Sequence, residues 1–441
     1  MEVFRIKGQA KLKGEITPQG AKNEALQVIA AVLLTHENVV IDNIPDIKDV
    51  TRQIELLQLL GVKVTKINAH KYEFKADDIH IESLRAPEFI NLSRHIRGSV
   101  LLTGPLLARM KEMSLYKPGG DKIGRRRLDT HLMGFQKLGA RFDFDPTNGM
   151  FRINATALKG SYMHLDEPSV TGTSNILMAA TLAKGKTIIY NAACEPYVQQ
   201  LCFMLNKMGA KISGIGTNKL EIEGVDSLGG CKHRCLPDMI EIGSFIGLAA
   251  MTGSELTIKN ANEEDLGIIP EIFNKLGITT QFEKGGLYIP KHDIYEIENQ
   301  VDGSIPTIYD APWPGFTPDL ISIALVVSVL AKGNVLIHQK MFESRLFFVD
   351  NLIDMGANVI LCDPHRVTVM GIGRQYFLRG IRMRSPDIRA GVALLLAALS
   401  AEGNSTIFNI EQIDRGYEKI DERLRLLGAD IQRVKEEDIS N

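Results

Sequence analysis

The chain has 441 residues, of which 44% are apolar and 24% are charged, a composition typical of globular domains and not of disordered segments. At roughly 150 residues a domain, this length predicts two or three domains. The formal net charge of −2 excludes a global field that would attract nucleic acid or an anionic membrane, so anion binding has to come from local clusters of basic residues.

A short phrase recurs six times along the chain: an apolar helix face, a Leu-Gly or Met-Gly pair, and an alternating strand. A glycine that follows a helix in this way predicts a left-handed C-cap. Most copies are preceded by a second phrase, in which an apolar helix, a small break and a strand ending near Asn follow one another. Six units of this size are too small to be separate domains. We therefore predict an α/β protein with two pseudo-symmetric lobes of three repeats, and a ligand site in the cleft between them. The glycines of the first phrase are Gly61, Gly139, Gly209, Gly277, Gly356 and Gly428, and those of the second are Gly185, Gly253, Gly333 and Gly403.

The first chemical motif is Gln19-Gly-Ala-Lys22-Asn23, directly before an apolar helix. Lys22 stands where the helix begins, so its ammonium group and the free backbone N–H groups could hold a phosphate together. On local sequence alone, a surface lysine beside a turn is the commoner interpretation.

The second motif is the loop at 117–131, which combines three glycines, Asp121 at its tip and the basic run Arg125-Arg126-Arg127. A nuclear-localisation or RNA-binding patch would need more basic residues and aromatic neighbours. The pattern therefore leaves two interpretations, a loop that closes over an anionic ligand and a solvated basic turn.

Further along, Cys231 and Cys235 flank His233, but no second ligand pair follows at a usable spacing, so we expect no metal site there. Five cysteines without a disulfide framework favour a reducing, cytoplasmic compartment. The N-terminal segment lacks the apolar stretch of a signal peptide. The most apolar runs, 321–331 and 390–399, are too short for a bilayer span of roughly 20 residues, so we predict buried helices for both.

Four more arginines, Arg97, Arg345, Arg389 and Arg415, stand near predicted helix starts or at corresponding places in the repeats. A single arginine is usually a solvated surface residue, but several that converge on one cleft suggest a polyanion site. Asp319 ends a proline-rich approach to an apolar helix, and its simplest interpretation is an N-cap. The same rigid turn would also suit a catalytic base.

Together these segments resemble the UDP-N-acetylglucosamine 1-carboxyvinyltransferase family of enolpyruvyl transferases over almost the whole chain. The resemblance implies a two-lobed inside-out α/β barrel of six βαβαββ-type repeats. Residues 22–236 would form the first lobe, and residues 1–21 with 237–441 the second. The matching segments are GAKN at 20–23, RGSVLLTGPLLAR at 97–109, PGGxxIGxRxxDxH at 118–131, NAAxEP at 191–196, LPDxIExGxF at 236–245, FESR at 342–345, DIRA at 387–390 and IDRGYE at 413–418.

The resemblance also implies a role for each matching residue. Lys22 would contact the phosphate of phosphoenolpyruvate, Asn23 would hold the sugar hydroxyl, and Asp319 with Met341 would line the sugar pocket. The anion-binding arginines would be Arg97, Arg126, Arg389 and Arg415, with Arg345 as a further arginine of the cleft. The uridine end would lie against Arg126, Arg127, Leu128, Asp129 and Thr130, with Glu167, Pro168, Ser169 and Val170 helping, and His131 would be a further substrate-binding residue.

The reaction implied is transfer of the enolpyruvyl group to the sugar 3′-hydroxyl with release of phosphate, the first committed step of peptidoglycan synthesis. Neither a metal nor an organic cofactor is implied, and the partners are the two small-molecule substrates, without nucleic acid or membrane. Asp319 would act as base and Asp121 as acid or release group. Asp121 stands where many members have cysteine, so we predict resistance to the epoxide fosfomycin, because a carboxylate is a poorer nucleophile than a thiolate.

Two alternatives stay open. One is a 3-phosphoshikimate enolpyruvyl transferase, which shares the six-unit architecture, although the loop with Arg126, Asp129 and His131 favours a nucleotide sugar. The other is a non-catalytic paralogue that senses the nucleotide sugar. A second departure, Ser169-Val-Thr-Gly-Thr173 in place of the usual SVGAT, makes the geometry at Thr171 uncertain.

Overall fold

The computed structural model describes residues 1–120, 124 and 126–439. The chain separates into two compact units, which we name by their larger segments. Of the described residues, the C-terminal unit contains 1–19, Gly124 and 237–439, and the N-terminal unit contains 20–120 and 126–236. Apart from the short segment around Gly124, the chain passes from one unit to the other at residues 19–20 and again at residues 236–237.

The strands of the described chain are short, as expected for repeated small sheets. They are β1 Glu2–Lys7, β2 Lys13–Ile16, β3 Asn38–Asp42, β4 Lys63–Asn68, β5 Lys71–Lys75, β6 Glu112–Tyr116, β7 Arg141–Asp145, β8 Met150–Asn154, β9 Tyr162–His164, β10 Lys186–Tyr190, β11 Lys211–Ser213, β12 Lys219–Glu223, β13 Cys231–Arg234, β14 Glu255–Lys259, β15 Gln281–Glu283, β16 Gly286–Ile289, β17 Thr307–Tyr309, β18 Lys332–His338, β19 Val359–Asp363, β20 Arg366–Ile372, β21 Arg382–Arg384, β22 Asn404–Phe408 and β23 Asp430–Lys435.

The helices alternate with these strands. They are α1 Lys22–Ala31, α2 Lys48–Leu59, α3 Pro87–Ser93, α4 Thr103–Met110, α5 Asp129–Lys137, α6 Val170–Ala180, α7 Pro196–Lys207, α8 Met239–Thr252, α9 Glu263–Leu266, α10 Ile269–Lys275, α11 Ile321–Leu330, α12 Val349–Asp354, α13 Ile388–Ser400 and α14 Ile420–Leu426. Short 3-10 helices at Arg97–Leu102, Pro318–Leu320 and Ile410–Arg415 contain three of the predicted site residues, Arg97, Asp319 and Arg415.

The described strands form six small sheets, three in each unit, and five of them share one topology. In those five, an edge strand pairs in parallel with its neighbour and the other two pairings are antiparallel, as in β9, β10, β12 and β11. The sixth sheet, β6-β8-β7, has the two antiparallel pairings. The repeat predicted from the sequence and the mixed α/β class are confirmed.

The N-terminal strands join sheets of the C-terminal unit. β1 lies between β22 and β23, and β2 pairs with β14. In the N-terminal unit, the late strand β13 supplies the parallel edge beside β3. Each unit is therefore completed by strands that adjoin the two passages of the chain.

The glycines of the repeated phrases adopt the predicted left-handed conformation, which an L side chain enters only with strain. All ten have positive φ, between 61° at Gly253 and 112° at Gly333. The asparagines that end the adjoining strands, Asn43, Asn191 and Asn260, also have φ near 60°. Asparagine tolerates this region because its short side chain bonds locally.

Helices that are buried on every side form the core of the C-terminal unit. α8, α11 and α13 pack on one another, and all of α11 and α13 and all but the last residue of α8 are buried. The predicted apolar helices at 321–331 and 390–399 are thus confirmed as core. Within the described residues, no helix combines the length and apolarity that a membrane crossing requires.

Candidate active site

Lys22 begins α1 and is almost buried, at 7% exposure. Its Nζ atom lies 2.7 Å from an oxygen of Asp49, in the first turn of α2. Asn23 follows on the same turn of α1 and is half-buried. Because this end of the helix carries free N–H groups and a partial positive charge, the ammonium group and the helix terminus lie where a phosphate would be favoured.

Two arginines of the N-terminal unit lie close enough to repel one another. Burial, with the nearby charge of Arg126 adding to it, lowers the pKa of Arg97 to about 10. Arg97 also donates to the carbonyl oxygens of Arg126 and Arg127, at 3.3 Å each. Among the described residues, no hydrogen-bond partner lies near the buried Arg97 Nε atom. Like charges held together at partial burial are stabilised by a bound anion, so this pair has the electrostatics of an anion site.

The glycines of the loop allow it to lie against this pair. A Cβ atom on Gly119 would fall 2.0 Å from the carbonyl oxygen of Arg94, and one on Gly120 would fall 3.0 Å from Arg97 Cβ. Asp121, the predicted acid at the tip of the same loop, lies outside the described residues.

Thr130 and His131, in the segment predicted to hold the uridine end, lie beside residues 166–171. The Thr130 hydroxyl donates to Asp166 at 2.8 Å and to Glu167 at 3.4 Å. Arg127 and Asp129 pair at 2.7 Å on the surface. Ser169 caps α6 by accepting from the N–H of Gly172. Leu128, Pro168 and Val170 are half-buried.

His131 lies deeper than a substrate contact would suggest. Its ring is buried, with Nε2 3.1 Å from the Thr171 hydroxyl and Nδ1 2.9 Å from the Asn175 amide. Burial and the neighbouring Arg97 lower the pKa of His131 to about 3, so the ring is neutral at pH 7. Both ring nitrogens already have partners in α6, so His131 holds α5 against α6.

Asp319 is the centre of the charged cluster in the C-terminal unit. Its two oxygens accept from Arg345 at 2.6 Å and from Arg389 at 3.2 Å. Burial would lower the pKa of Arg389, but Asp319 and Tyr417 raise it above its ordinary value. The N-cap interpretation of Asp319 was wrong, because the Thr317 hydroxyl caps this turn by accepting from the Asp319 N–H. Within the described part of the chain, the Asp319 carboxylate thus has two arginine partners.

Arg415 and Met341 are two further predicted site residues of the same unit. Arg415 is 8% exposed and donates to Gln412 at 2.7 Å. The Met341 side chain is exposed, while its N–H donates to the buried Asp310 at 3.2 Å. Burial raises the pKa of Asp310, although it also accepts from the N–H of Lys340. Asp310 therefore fixes the backbone that presents Met341.

One group of described residues has the donor types of a metal site: Glu24, His233 and Cys235, whose donor atoms all lie within 4.8 Å. Glu24 and His233 are only 2.7 Å apart, the distance of a hydrogen bond, whereas tetrahedral zinc ligands lie about 3.3 Å apart at Zn–N distances near 2.0 Å. The buried Nδ1 atom of His233 also has no partner in the described chain, unlike most metal-bound histidines. We interpret the group as a hydrogen-bonded network.

Three residues that support the site were not singled out from the sequence. Asp49 holds Lys22, and Asp310 holds the Met341 backbone. The neutral Tyr417 hydroxyl accepts from Arg389 at 3.2 Å. Tyr417 falls in the matching segment IDRGYE and could have been found from it. Asp49 and Asp310 lie in segments without a motif.

Known proteins resemble this chain in both sequence and fold. A sequence model of the family described as EPSP synthase (3-phosphoshikimate 1-carboxyvinyltransferase) matches residues 6–424. In structure, the enolpyruvyl transferase NikO from Streptomyces tendae matches with a TM-score of 0.86 at 21% identity, over 98% of this chain and 99% of that one. The EPSP synthase from Acinetobacter baumannii matches with a TM-score of 0.74 at 18% identity, over 99% of this chain and all of that one. At these identities the structures confirm the fold alone.

Closer relatives carry a more specific name. The UDP-N-acetylglucosamine 1-carboxyvinyltransferase of Bacteroides thetaiotaomicron is 61% identical over 434 residues, covering 98% of this chain and 100% of that protein. The proteins of the same name from Porphyromonas gingivalis and Treponema denticola are 60% and 48% identical, each over 98% of this chain and 100% and 99% of those proteins. The chain belongs to the UDP-N-acetylglucosamine 1-carboxyvinyltransferase family, within the wider group that the EPSP synthase model describes.

Proposed function

We propose that this protein transfers the enolpyruvyl group of phosphoenolpyruvate to the 3′-hydroxyl of UDP-N-acetylglucosamine and releases phosphate. The observation that carries the proposal is the 61% identity, over the whole of a relative that bears the enzyme's name. The cations Lys22, Arg97 and Arg126 in one unit, and Arg345 and Arg389 in the other, support it, because the substrate brings a phosphate and a carboxylate. We also propose residues 22–236 and residues 1–21 with 237–441 as the two lobes.

The chemistry is addition followed by elimination. A proton adds to C3 of phosphoenolpyruvate, and C2 becomes cationic in character. The sugar hydroxyl loses its proton to Asp319 and forms a C–O bond to C2, giving a tetrahedral phospho-ketal. Loss of a proton from C3 and of the phosphate from C2 restores the double bond.

The basic residues stabilise the charge that develops in these steps. Lys22, with Arg97 and Arg126, is suited to the phosphate, because each presents a fixed cation in a partly buried setting. The two arginines on Asp319 hold its carboxylate in one orientation, with both oxygens bonded. A base held in this way needs little reorganisation when the hydroxyl approaches. Asp121 is the proposed acid or release group, as inferred from its place in the matching loop.

We propose a cytoplasmic location and a role in peptidoglycan synthesis, which shapes the cell wall through growth and division. The nucleotide-sugar substrate and the five free cysteines support a reducing compartment.

The test is phosphate release from phosphoenolpyruvate with either of two acceptors. We expect release with UDP-N-acetylglucosamine and none with shikimate 3-phosphate, and the first compound but not the second should raise the melting temperature. Release with shikimate 3-phosphate instead would favour the rival transferase. Binding of the nucleotide sugar without release would indicate a sensing paralogue.

A further inference from the structure

A buried carboxylate stands directly behind the proposed phosphate-binding residues. Glu24 is the third residue of α1, two places after Lys22, and its side chain is completely buried. It accepts from His233 Nε2 at 2.7 Å and from the N–H of Leu236 at 3.0 Å. The Cys235 thiol is a third donor, and burial together with Glu24 raises its pKa well above the ordinary value, which keeps it protonated. Glu24 therefore binds one end of β13 to the first turn of α1.

This connection lies where the chain leaves the N-terminal unit. Leu236 is the last residue before the second passage, and its carbonyl oxygen accepts from the N–H of Ala21 at 2.8 Å. The same residue thus donates to Glu24 and accepts from Ala21. Two hydrogen bonds, one just before Lys22 and one two residues after it, fix the backbone on which Lys22 and Asn23 are mounted.

The C-terminal unit repeats the arrangement. Glu241 is the third residue of α8 and accepts from the N–H of Gln19 at 2.7 Å. Gln19 in turn accepts from the N–H of Asp238 at 2.9 Å, so the pattern of Leu236 and Ala21 recurs. Arg423 supplies the countercharge of Glu241, whereas His233 bonds Glu24. A carboxylate at the same helical position, bound to the same backbone group in both units, indicates a specific structural role.

Removing the Glu24 carboxylate would leave Leu236 N–H and His233 without their acceptor in a buried region. Such groups seek new partners by local movement, because an unpaired buried donor is costly. The movement would fall on the first turn of α1, where the Lys22 ammonium is held 2.7 Å from Asp49. Displacements of about 1 Å at a binding group reduce catalysis by about 100-fold.

We propose that Glu24 is a positioning residue, which sets Lys22 in place for phosphoenolpyruvate through its bonds to His233 and Leu236. The inference rests on the proposed function, in which Lys22 contacts the substrate phosphate.

The test compares Glu24→Ala, Glu24→Gln and the matched control Glu37→Ala. Glu37 also accepts from a backbone N–H, that of Gly230 at 2.7 Å, but on the surface and at the other end of β13. We expect Glu24→Ala to raise the Kd and KM for phosphoenolpyruvate at least tenfold, with less than a twofold change in KM for the nucleotide sugar. Glu37→Ala should match the parent. Glu24→Gln keeps an acceptor for Leu236 and should recover most of the affinity.

All variants are compared well below their unfolding midpoints, and His233→Gln replaces Glu24→Ala if the latter does not fold. The inference is overturned if Glu24→Ala, or His233→Gln in its place, binds phosphoenolpyruvate as tightly as Glu37→Ala. It is also overturned if the variant weakens both substrates equally, since that pattern indicates general loss of structure. Absence of turnover in the parent would contradict the proposed function, while the Kd measured by titration still decides the role of Glu24.

Discussion

Replacing Asp319 with asparagine tests the proposed base and the charged cluster together. Asn keeps the shape but removes the charge that two buried guanidinium groups share at 2.6 and 3.2 Å. Breaking a buried ion pair costs about 3–5 kcal/mol, and because the Asp319 side chain is 19% exposed we discount this to about 2–3 kcal/mol. The unfolding midpoint should fall by several degrees, at about 2–4 °C per kcal/mol for a unit of this size.

The catalytic effect should be larger and should separate rate from affinity. Loss of a general base lowers kcat by about 10²–10⁴-fold. The affinity for phosphoenolpyruvate should not weaken, because Arg345 and Arg389 lose their only carboxylate in the cluster described here and become freer to attract an anion.

The assay is phosphate release for kcat and equilibrium titration for the affinity, with Asp363→Asn as the control. Asp363 also pairs with an arginine, Arg366 at 2.6 Å, but on the surface, and its change should have little effect on either quantity. A kcat within tenfold of the parent at a temperature where Asp319→Asn is folded would refute the role of Asp319 as base.

Three further predictions follow from particular residues. His131 has a pKa of about 3 in the folded protein, so the unfolded state takes up a proton first as the pH falls below 6.5. The free energy of unfolding should then drop by up to about 1.4 kcal/mol per pH unit. Urea titrations at pH 7.5 and 5 should show a smaller drop for His131→Asn than for the parent. Fosfomycin should leave the parent active, while Asp121→Cys should be inactivated with time and carry a covalent adduct; an adduct on Asp121 in the parent would contradict this. Iodoacetamide should label exposed Cys362 first and leave Cys202 unmodified in the native protein at pH 8.5, because burial raises the pKa of Cys202 to about 12; early labelling of Cys202 by mass spectrometry would contradict its burial.

Much of the fold could be predicted from local sequence patterns. The helix that ends in Leu-Gly or Met-Gly dictates a left-handed cap wherever it occurs, so six copies predicted six repeated units before any contact was known. The runs at 321–331 and 390–399 were recognisable as core because their apolar residues cover every side of a helix.

Contacts between distant segments were beyond the same reasoning. Glu24 and His233 are separated by 209 positions and meet only through the tertiary packing of α1 and β13. The spacing of Cys231, His233 and Cys235 along the chain therefore could not identify Glu24 as the residue that lies beside His233 and Cys235. The N-cap prediction for Asp319 failed for a related reason. An N-cap is determined by which nearby side chain accepts from the free N–H group, and here the Thr317 hydroxyl accepts from it.

Lys22 illustrates both what could be predicted from the sequence and what depended on packing. Its place at a helix start was evident from the sequence, but its pairing with Asp49 depends on how α1 packs against α2. A cation near a helix terminus can be predicted locally, whereas the carboxylate that orients it comes from the packing of the repeat.

The most direct test of the central claim is a single-turnover reaction of the parent protein with phosphoenolpyruvate and UDP-N-acetylglucosamine. We predict equal amounts of inorganic phosphate and of a sugar nucleotide that carries an enolpyruvyl ether on its 3′ oxygen. Phosphate formed without that ether, or neither product at an enzyme concentration equal to the substrates, would contradict the proposed transfer.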